Sequence, residues 1–354
     1  MAGCELHYSP GFSPVGRNSR LKFLSRDVGS RNLVRMHREK VLFKVQAAVC
    51  NNELQEFLSL PSSFMQGKRL SELSTFGIGG PAKYFVEVHN ESEMSAVIRF
   101  CQKENIRYFI VGKGSNCLFD DRGFDGCVIL NSLKFLESDG RGIYRVGSGY
   151  PFNMLGIQAS NDEFTGLEFA SGIPGTVGGA VYMNASANGQ ETADVIKSVE
   201  VLRADGEREV HMREDSNLVY GYRLSPYQTM EGFTSILAAT FHLKPCTGAR
   251  QRHRSFLERR RKTQPVAAKS AGCIFRNPGS GCQSAGALIE KAGLKGAAVG
   301  PAKVSNIHAN YLLNAGGSSA ADMKTLIQLV RNQVKEKFGV ELREEIIYVP
   351  YTSK

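Results

Sequence analysis

Apolar positions along the chain alternate between a period of two and a period near 3.6, and the changes of period mark its elements. Ala82 to Val88 (AKYFVEV) reads as a strand. Glu91 to Glu104 reads as a helix, because Met94, Val97, Ile98 and Cys101 recur at i, i+3, i+4 and i+7. Arg107 to Val111 is a second strand, and it opens directly onto Gly112-Lys113-Gly114-Ser115-Asn116. Cys127 to Asn131 and Ile143 to Val146 continue the strand pattern, and Phe152 to Phe164 has a helical one. Val195 to Val210 carries Asp205-Gly206, a hairpin signal, and Ser235 to Leu243 closes the region as a strand. Beyond Lys244-Pro245 a strongly basic helix spans Gly248 to Lys262, followed by helices at Ser284 to Ala292 and Asp322 to Phe338. The last places Met323, Leu326, Ile327, Val330, Val334 and Phe338 on one face, with Ser319 as cap and Gly339 as stop. Val340 to Val349 is a final strand, and a short helical pattern at Glu53 to Leu58 precedes the whole.

One stretch fits neither period. Gly166 to Gly189 (GLEFASGIPGTVGGAVYMNASANG) mixes glycines with small and apolar residues and almost no charge. Gly172, Gly175, Gly178 and Gly179 fall close together, an entropic cost that a plain core segment has no reason to carry. Backbone held against a bound ligand explains it. The loop at 112–116 is a second such signal, since N–H groups in a Gly and Ser turn after a strand form a concave donor surface for phosphate oxygens. It matches neither a Walker A loop nor the Rossmann GxGxxG, and taken alone a surface turn explains it better.

The chain has 354 residues, 42% of them hydrophobic, enough for two or three domains. No apolar run approaches the roughly 18 residues of a membrane span, so no membrane association is expected. The cysteines at 4, 50, 101, 117, 127, 246, 273 and 282 form no CxxC pair and have no histidine at zinc spacing. That pattern implies a reducing compartment and no metal. Residues 1–50 carry Arg17, Arg20, Lys22, Arg26, Arg31, Arg35, Arg38, Lys40 and Lys44 against Glu5, Asp27 and Glu39, with several serines and no sustained periodicity. Such a leader resembles an organelle transit peptide, with a disordered basic tail as the plainer alternative. The formal net charge of +10 falls to +4 once its excess of nine cations over three acids is removed. A mildly basic body suits anionic small ligands and gives no reason to expect nucleic acid, since the basic helix has only Phe256 among its arginines.

Seven motifs in order extend the picture: STFGIGG at 74–80, VGKGSN at 111–116, GLEFASGIPGTVGGAVYMNA at 166–185, GYRLS at 221–225, SAGCIFRNP at 270–278, LIEKAGLKG at 288–296 and VKEKFGVELREE at 334–345. In this arrangement the chain resembles the UDP-N-acetylenolpyruvoylglucosamine reductases, over about residues 60–350. The resemblance implies a mixed α/β and α+β fold: a two-part FAD-binding region of the vanillyl-alcohol-oxidase type plus a C-terminal α+β substrate domain. The implied segments are a transit peptide at 1–50, a first FAD subdomain at 60–131 completed by 346–354, a second at 132–245, and a UDP-sugar domain at 246–345. It further implies non-covalent FAD, NADPH as hydride donor, a UDP-sugar substrate, no metal and a monomer. With the basic leader, it points to a plant-type member in the chloroplast stroma.

Carried over by motif, Gly112, Gly114, Ser115 and Asn116 meet the FAD pyrophosphate, and Gly172, Ile173, Pro174, Gly178, Gly179 and Asn184 run along the cofactor. The family reaction delivers a hydride to a vinyl carbon, so it needs a cation for the developing enolate and an acid for the neighbouring carbon. Arg223 matches the catalytic arginine, and its planar charged fork suits a carboxylate. Cys273 stands at the proton donor position, where an ordinary thiol near pKa ~8.5 is a better acid than a serine hydroxyl. Glu345, read as part of the final strand, matches the catalytic glutamate, and alternation then turns Glu344 to the opposite side. Tyr222, Arg260, Lys262 and Asn277 are the substrate-binding candidates, with His308 and Asn310 behind them. Two positions depart from the family: Thr263 and Ile347 stand where lysine and arginine are usual, and Arg260, Arg261 and Lys262 are near enough in sequence to substitute.

Two other readings remain open on sequence. An oxidase or dehydrogenase of another small substrate shares the FAD loops but has no need of Arg223, Cys273 and Glu345 together. A flavin-binding protein without catalysis is favoured only by Thr263 and Ile347.

Overall fold

The computed structural model describes residues 64–352 apart from 216–217 and 280. The basic leader and the Glu53 to Leu58 pattern lie outside the described residues.

Strands β1 (Ala82–Val88), β2 (Tyr108–Val111) and β4 (Phe124–Asn131) form a parallel sheet in the order β1-β4-β2. The central β4 is the most completely buried, as a strand covered on both faces must be. Helix α1 (Glu91–Lys103) links β1 to β2 and buries Met94, Val97, Ile98 and Cys101. Its N-terminus is capped by Asn90, whose side chain accepts from the Glu93 N–H. Beside this sheet, β3 (Cys117–Phe119) pairs in parallel with β17 (Ile347–Val349), so the chain terminus returns to the first layer. Phe85, Val111, Phe119, Phe124, Val128 and Val349 make their common core.

A second layer is antiparallel. β5 (Leu136–Ser138), β6 (Ile143–Gly147), β10 (Ile196–Arg203), β11 (Arg208–Met212) and β12 (Phe233–His242) lie in the order β11-β10-β12-β6-β5. The Asp205-Gly206 turn joins β10 to β11 as expected, with Gly206 at φ +87°. Helix α2 (Phe152–Asn161) is shorter than the helical pattern, because Glu163 takes a left-handed φ of 63° and the chain passes into a brief strand, β7 (Phe164–Thr165), paired with β13 (Lys244–Pro245). The glycine-rich stretch folds as a 3-10 turn at Glu168–Gly172 and the short helix α3 (Val177–Tyr182), then a small hairpin of β8 (Ser186–Ala187) and β9 (Gln190–Glu191). Basic helix α4 (Ala249–Thr263) belongs to this layer in its contacts: Arg252 pairs with buried Glu168, His253 with Ser171, and Phe256 joins the core.

The third core gathers α5 (Ala285–Lys291), α6 (Ala320–Phe338) and a three-stranded antiparallel sheet, β14 (Ala298–Val299), β15 (Ala302–Val304) and β16 (Leu312–Asn314). Ser319 and Asp322 form a capping box on α6, and Gly339 ends it at φ +67°. Phe338, expected on the buried face, is 38% exposed, since it sits in the last turn beyond the core. The final strand is also shorter than the pattern implies, running only from Ile347 to Val349. Residues 343–345 instead hydrogen-bond to 274–276, so the expected strand is divided between two partners.

No described helix is long and apolar enough to cross a membrane, and the described residues hold no cluster of potential metal ligands. The described cysteines are free thiols.

Candidate active site

The two glycine loops, some sixty residues apart in sequence, meet in space. A Cβ on Gly112 would lie 2.4 Å from the Thr176 hydroxyl oxygen, and one on Gly175 would lie 3.3 Å from the Ser115 hydroxyl. Gly114 adopts φ +55° against the Leu73 carbonyl, where a side chain has neither the conformation nor the space. Among the described residues, the N–H groups of Lys113, Gly114 and Ser115 donate to no main-chain carbonyl, and the nearby buried Thr75 hydroxyl has no partner. Donors without acceptors around two close-packed loops suit a diphosphate, so the residues present fit the pyrophosphate of FAD.

Other cofactor candidates sort by what they touch. Gly172 lies under the Arg260 side chain, where a Cβ would come within 2.6 Å of its Cδ, and Gly178 packs on Ser148. Ile173 is half-buried against the second core, while Pro174 and Gly179 are exposed at the loop rim. Asn184 differs from expectation. Its amide donates to the Gly221 carbonyl (2.9 Å) and the Glu191 carboxylate (2.5 Å), and its carbonyl accepts from the Ala193 N–H (3.0 Å). Both amide protons and one acceptor site of that buried side chain are used within the protein, so Asn184 shapes the loop that carries Arg223.

Arg223 sits in the tight turn Gly221-Tyr222-Arg223-Leu224, with reciprocal main-chain bonds between Gly221 and Leu224 at 3.0 Å. It takes φ +56°, a left-handed conformation costly for arginine. The turn is held from behind by Asn184 on Gly221, by Gln228 on the Arg223 carbonyl, and by Ser225 and Gln228 on the Tyr182 carbonyl. Its guanidinium donates Nε–H to Glu345 at 2.5 Å and Nη1–H to the Ser186 hydroxyl at 2.7 Å. Nη2 has no partner among the described residues.

Glu345 is positioned from both sides. Its N–H donates to the Ile274 carbonyl at 2.7 Å, and its carbonyl accepts from the Asn116 amide at 3.0 Å. Burial raises its carboxyl above the usual range, against the opposing pull of Arg223 and Arg276. Although Glu345 precedes the final strand, Glu344 does point away, to Arg331 on α6 at 3.2 Å.

Cys273 stands opposite Tyr311 in an antiparallel bridge. Burial pushes its thiol up to about 12, with the charge of Glu345 acting in the same direction and Arg223 and Arg260 opposing. The expectation of an ordinary, moderately acidic thiol is therefore corrected: the surroundings keep Cys273 protonated throughout the neutral range. Arg260 reaches this cluster across Gly172. Lys262 does not. Two residues further along a helix is a rotation of about 200°, and both Lys262 and Arg261 are exposed.

Tyr222 accepts the Asn277 N–H at 3.3 Å and lies beside the Arg223 guanidinium, 5.1 Å from ring centroid to Cζ. The Asn277 side chain is turned to the start of α5, accepting from the Ala285 N–H. Asn310 clamps both main-chain groups of Phe275, a structural role. Thr263 bonds back to the Arg259 carbonyl on the exposed helix end, and Ile347 pairs with Cys117 in β17. Ser186, Gln264 and Tyr311 were not singled out from sequence, since nothing local distinguishes their hydroxyls and amide from surface ones.

Two loops suited to a diphosphate, tied through Asn116 to the segment that carries Glu345 beside Arg223 and Cys273, match what a flavin-dependent oxidoreductase requires. Residues 81–210 match the FAD binding domain family, and residues 264–349 match the C-terminal domain of UDP-N-acetylenolpyruvoylglucosamine reductase. The reductase of Protochlamydia amoebophila is 50% identical over 83% of this chain and 96% of its own length. That of Chlamydia felis is 44% identical over 83% and 97%. The crystal structure of the Thermus caldophilus reductase superposes with a TM-score of 0.69 at 33% identity, covering 81% of this chain and 99% of that one. The chain belongs to the UDP-N-acetylenolpyruvoylglucosamine reductase family. FAD is its cofactor.

Proposed function

We propose that the protein reduces the enolpyruvyl double bond of UDP-N-acetylglucosamine enolpyruvate to UDP-N-acetylmuramate, with NADPH as hydride donor, supplying a peptidoglycan precursor inside a plastid. The observation that carries this reading is the Arg223–Glu345 pair beside Cys273, on a turn that holds Arg223 at a strained φ. Strain of this kind persists where the surroundings enforce it, and active sites are where it concentrates.

Bound FAD supplies hydride transfer between nicotinamide and the substrate's vinyl carbon. The chain's own residues do the rest. Glu345 and Ser186 fix two corners of the Arg223 fork, leaving Nη2 for an oxygen of the substrate carboxylate as negative charge develops there. Cys273 keeps its proton in the buried site and gives it to the neighbouring carbon. Arg260 supplies positive charge above Gly172, which offsets the loss of the usual cations at 263 and 347. The basic, serine-bearing residues 1–50 support import into a plastid.

The test is anaerobic reduction of the purified FAD enzyme by NADPH, followed by mixing with the enolpyruvyl UDP-sugar. Rapid flavin reoxidation with formation of UDP-N-acetylmuramate is expected. A reduced flavin indifferent to that sugar would overturn the reading in favour of another oxidoreductase or a non-catalytic flavoprotein.

A further inference from the structure

A hydroxyl that the mechanism above does not use lies inside the same cluster. Tyr311 is only 6% exposed, yet its Oη donates to Gln264 Oε1 at 2.7 Å. It stands opposite Cys273, and the Ile274 N–H donates to the Asn310 carbonyl beside them. That is the non-hydrogen-bonded kind of antiparallel pair, in which side chains stand closest. On its other side, Gln264 is the residue that ends α4, and its N–H donates to the Arg260 carbonyl at 2.9 Å. A three-link chain therefore runs from the Cys273 pair through Tyr311 and Gln264 to Arg260.

We propose that the Tyr311 hydroxyl and the Gln264 side chain form a latch that positions the Arg260 end of α4 against Cys273, making Tyr311 and Gln264 positioning residues for substrate reduction. The proposal rests on the reductase reading for its kinetic consequence. The geometric basis is independent of that reading. The end of α4 and the residue that precedes β16, Gln264 and Tyr311, meet here through a side-chain bond between distant parts of the chain. Tyr311 also feels the charges of Arg260, Arg223 and Glu345, which places its ring in the electrostatic cluster of the site. Removing the hydroxyl leaves the ring's packing against His308, at 5.0 Å between centroids, in place.

Tyr311→Phe is the direct test, with Gln264→Leu as a second break and Gln264→Glu as the conservative change that keeps an acceptor. In the FAD enzyme, Tyr311→Phe is expected to slow flavin reoxidation by the enolpyruvyl UDP-sugar about 10-fold, the scale of a modest misplacement at a reacting centre. Flavin reduction by NADPH should change less than about 2-fold, because the latch reaches the cofactor loops only through Arg260 over Gly172. Gln264→Leu should match that loss, the double variant should lose no more than either single one, and Gln264→Glu should stay near wild type. A second readout needs no turnover: alkylation of Cys273 by iodoacetamide at pH 8, followed by peptide mapping, should accelerate severalfold in Tyr311→Phe as the thiol's enclosure loosens. An active wild type with unchanged reoxidation and alkylation in the Tyr311→Phe and Gln264→Leu variants would overturn the latch. So would losses that simply add in the double variant. A wild type that ignores the sugar overturns the reductase reading instead, and the alkylation rates then decide the latch alone.

Discussion

The Asn116 side chain donates to the Glu345 carbonyl at 3.0 Å, while the Asn116 carbonyl accepts from the Ile347 N–H at 2.8 Å. One residue of the 112–116 loop thus grips the segment bearing the glutamate on both sides, more than two hundred residues away. The 112–116 loop and the placement of Glu345 are mechanically joined. Asn116→Leu should cost about 1 kcal/mol from the lost bond and weaken both FAD retention and substrate reduction. Denaturant midpoints with the two half-reactions measured separately check this. A variant that loses FAD affinity while keeping full-speed substrate reduction at saturating FAD would argue against the joint.

Gly112→Ala should yield a folded protein that retains FAD poorly, because the new methyl would meet the Thr176 hydroxyl at 2.4 Å where the two loops touch. Gly140→Ala is the matched control for adding a methyl to a glycine. Nothing lies within 4 Å of its Cβ position, so only the strain of its φ of +73° is added, away from the loops. The ratio of flavin to protein absorbance after gel filtration distinguishes them, and equal ratios would sink the close-approach argument.

Cys273→Ala should leave NADPH reduction of the flavin nearly intact and slow substrate reduction by roughly 10²-fold or more, the scale for losing a general acid. Cys273→Ser should recover much of it. Since burial pushes the thiol up to about 12, the wild-type rate should show no falling limb from thiol ionisation between about pH 7 and 10. A limb near the ordinary thiol value, absent from Cys273→Ser, would show that the thiol is more acidic than its burial implies.

Asp120 carries an acid-dependent share of stability. Arg122, on its own loop, holds its carboxyl well below the usual range, with burial opposing and the Tyr348 hydroxyl at 2.7 Å assisting. A depressed folded value means the contribution is present above the unfolded value of about 3.9 and is lost as pH falls below it toward the folded value. Asp120→Asn should cost about 1–2 kcal/mol at pH 7 through the bonds from Tyr348 and the Arg122 main chain, the exposed Arg122 guanidinium adding little. The gap between variant and wild type in urea midpoint should narrow from pH 7 to pH 3. A constant gap would remove Asp120 from the acid response.

Residues 1–50, fused to a fluorescent reporter in plant cells, should carry it into plastids, and an enzyme starting near residue 60 should bind FAD normally. Cytosolic reporter would count against import. Loss of flavin on truncation would count against a separable leader.

Periodicity alone delimited β1 and α1 almost to the residue, because their buried faces are set by local spacing and by near neighbours such as Asn90 and Glu93. The two loops were also legible, since glycine density reports close backbone approach whatever lies opposite. Tertiary structure decided that Gly112 faces Thr176, that Asn184 serves the Arg223 turn, and that Arg260 rather than Lys262 reaches the thiol. It also divided the strand expected after Val340 between the 274–276 segment and β3, and it raised Cys273 out of the range of a free thiol. Each of these depends on groups brought together from distant parts of the chain. Local spacing determines which face an element buries, whereas hydrogen-bond partners and desolvation depend on what folds against that face.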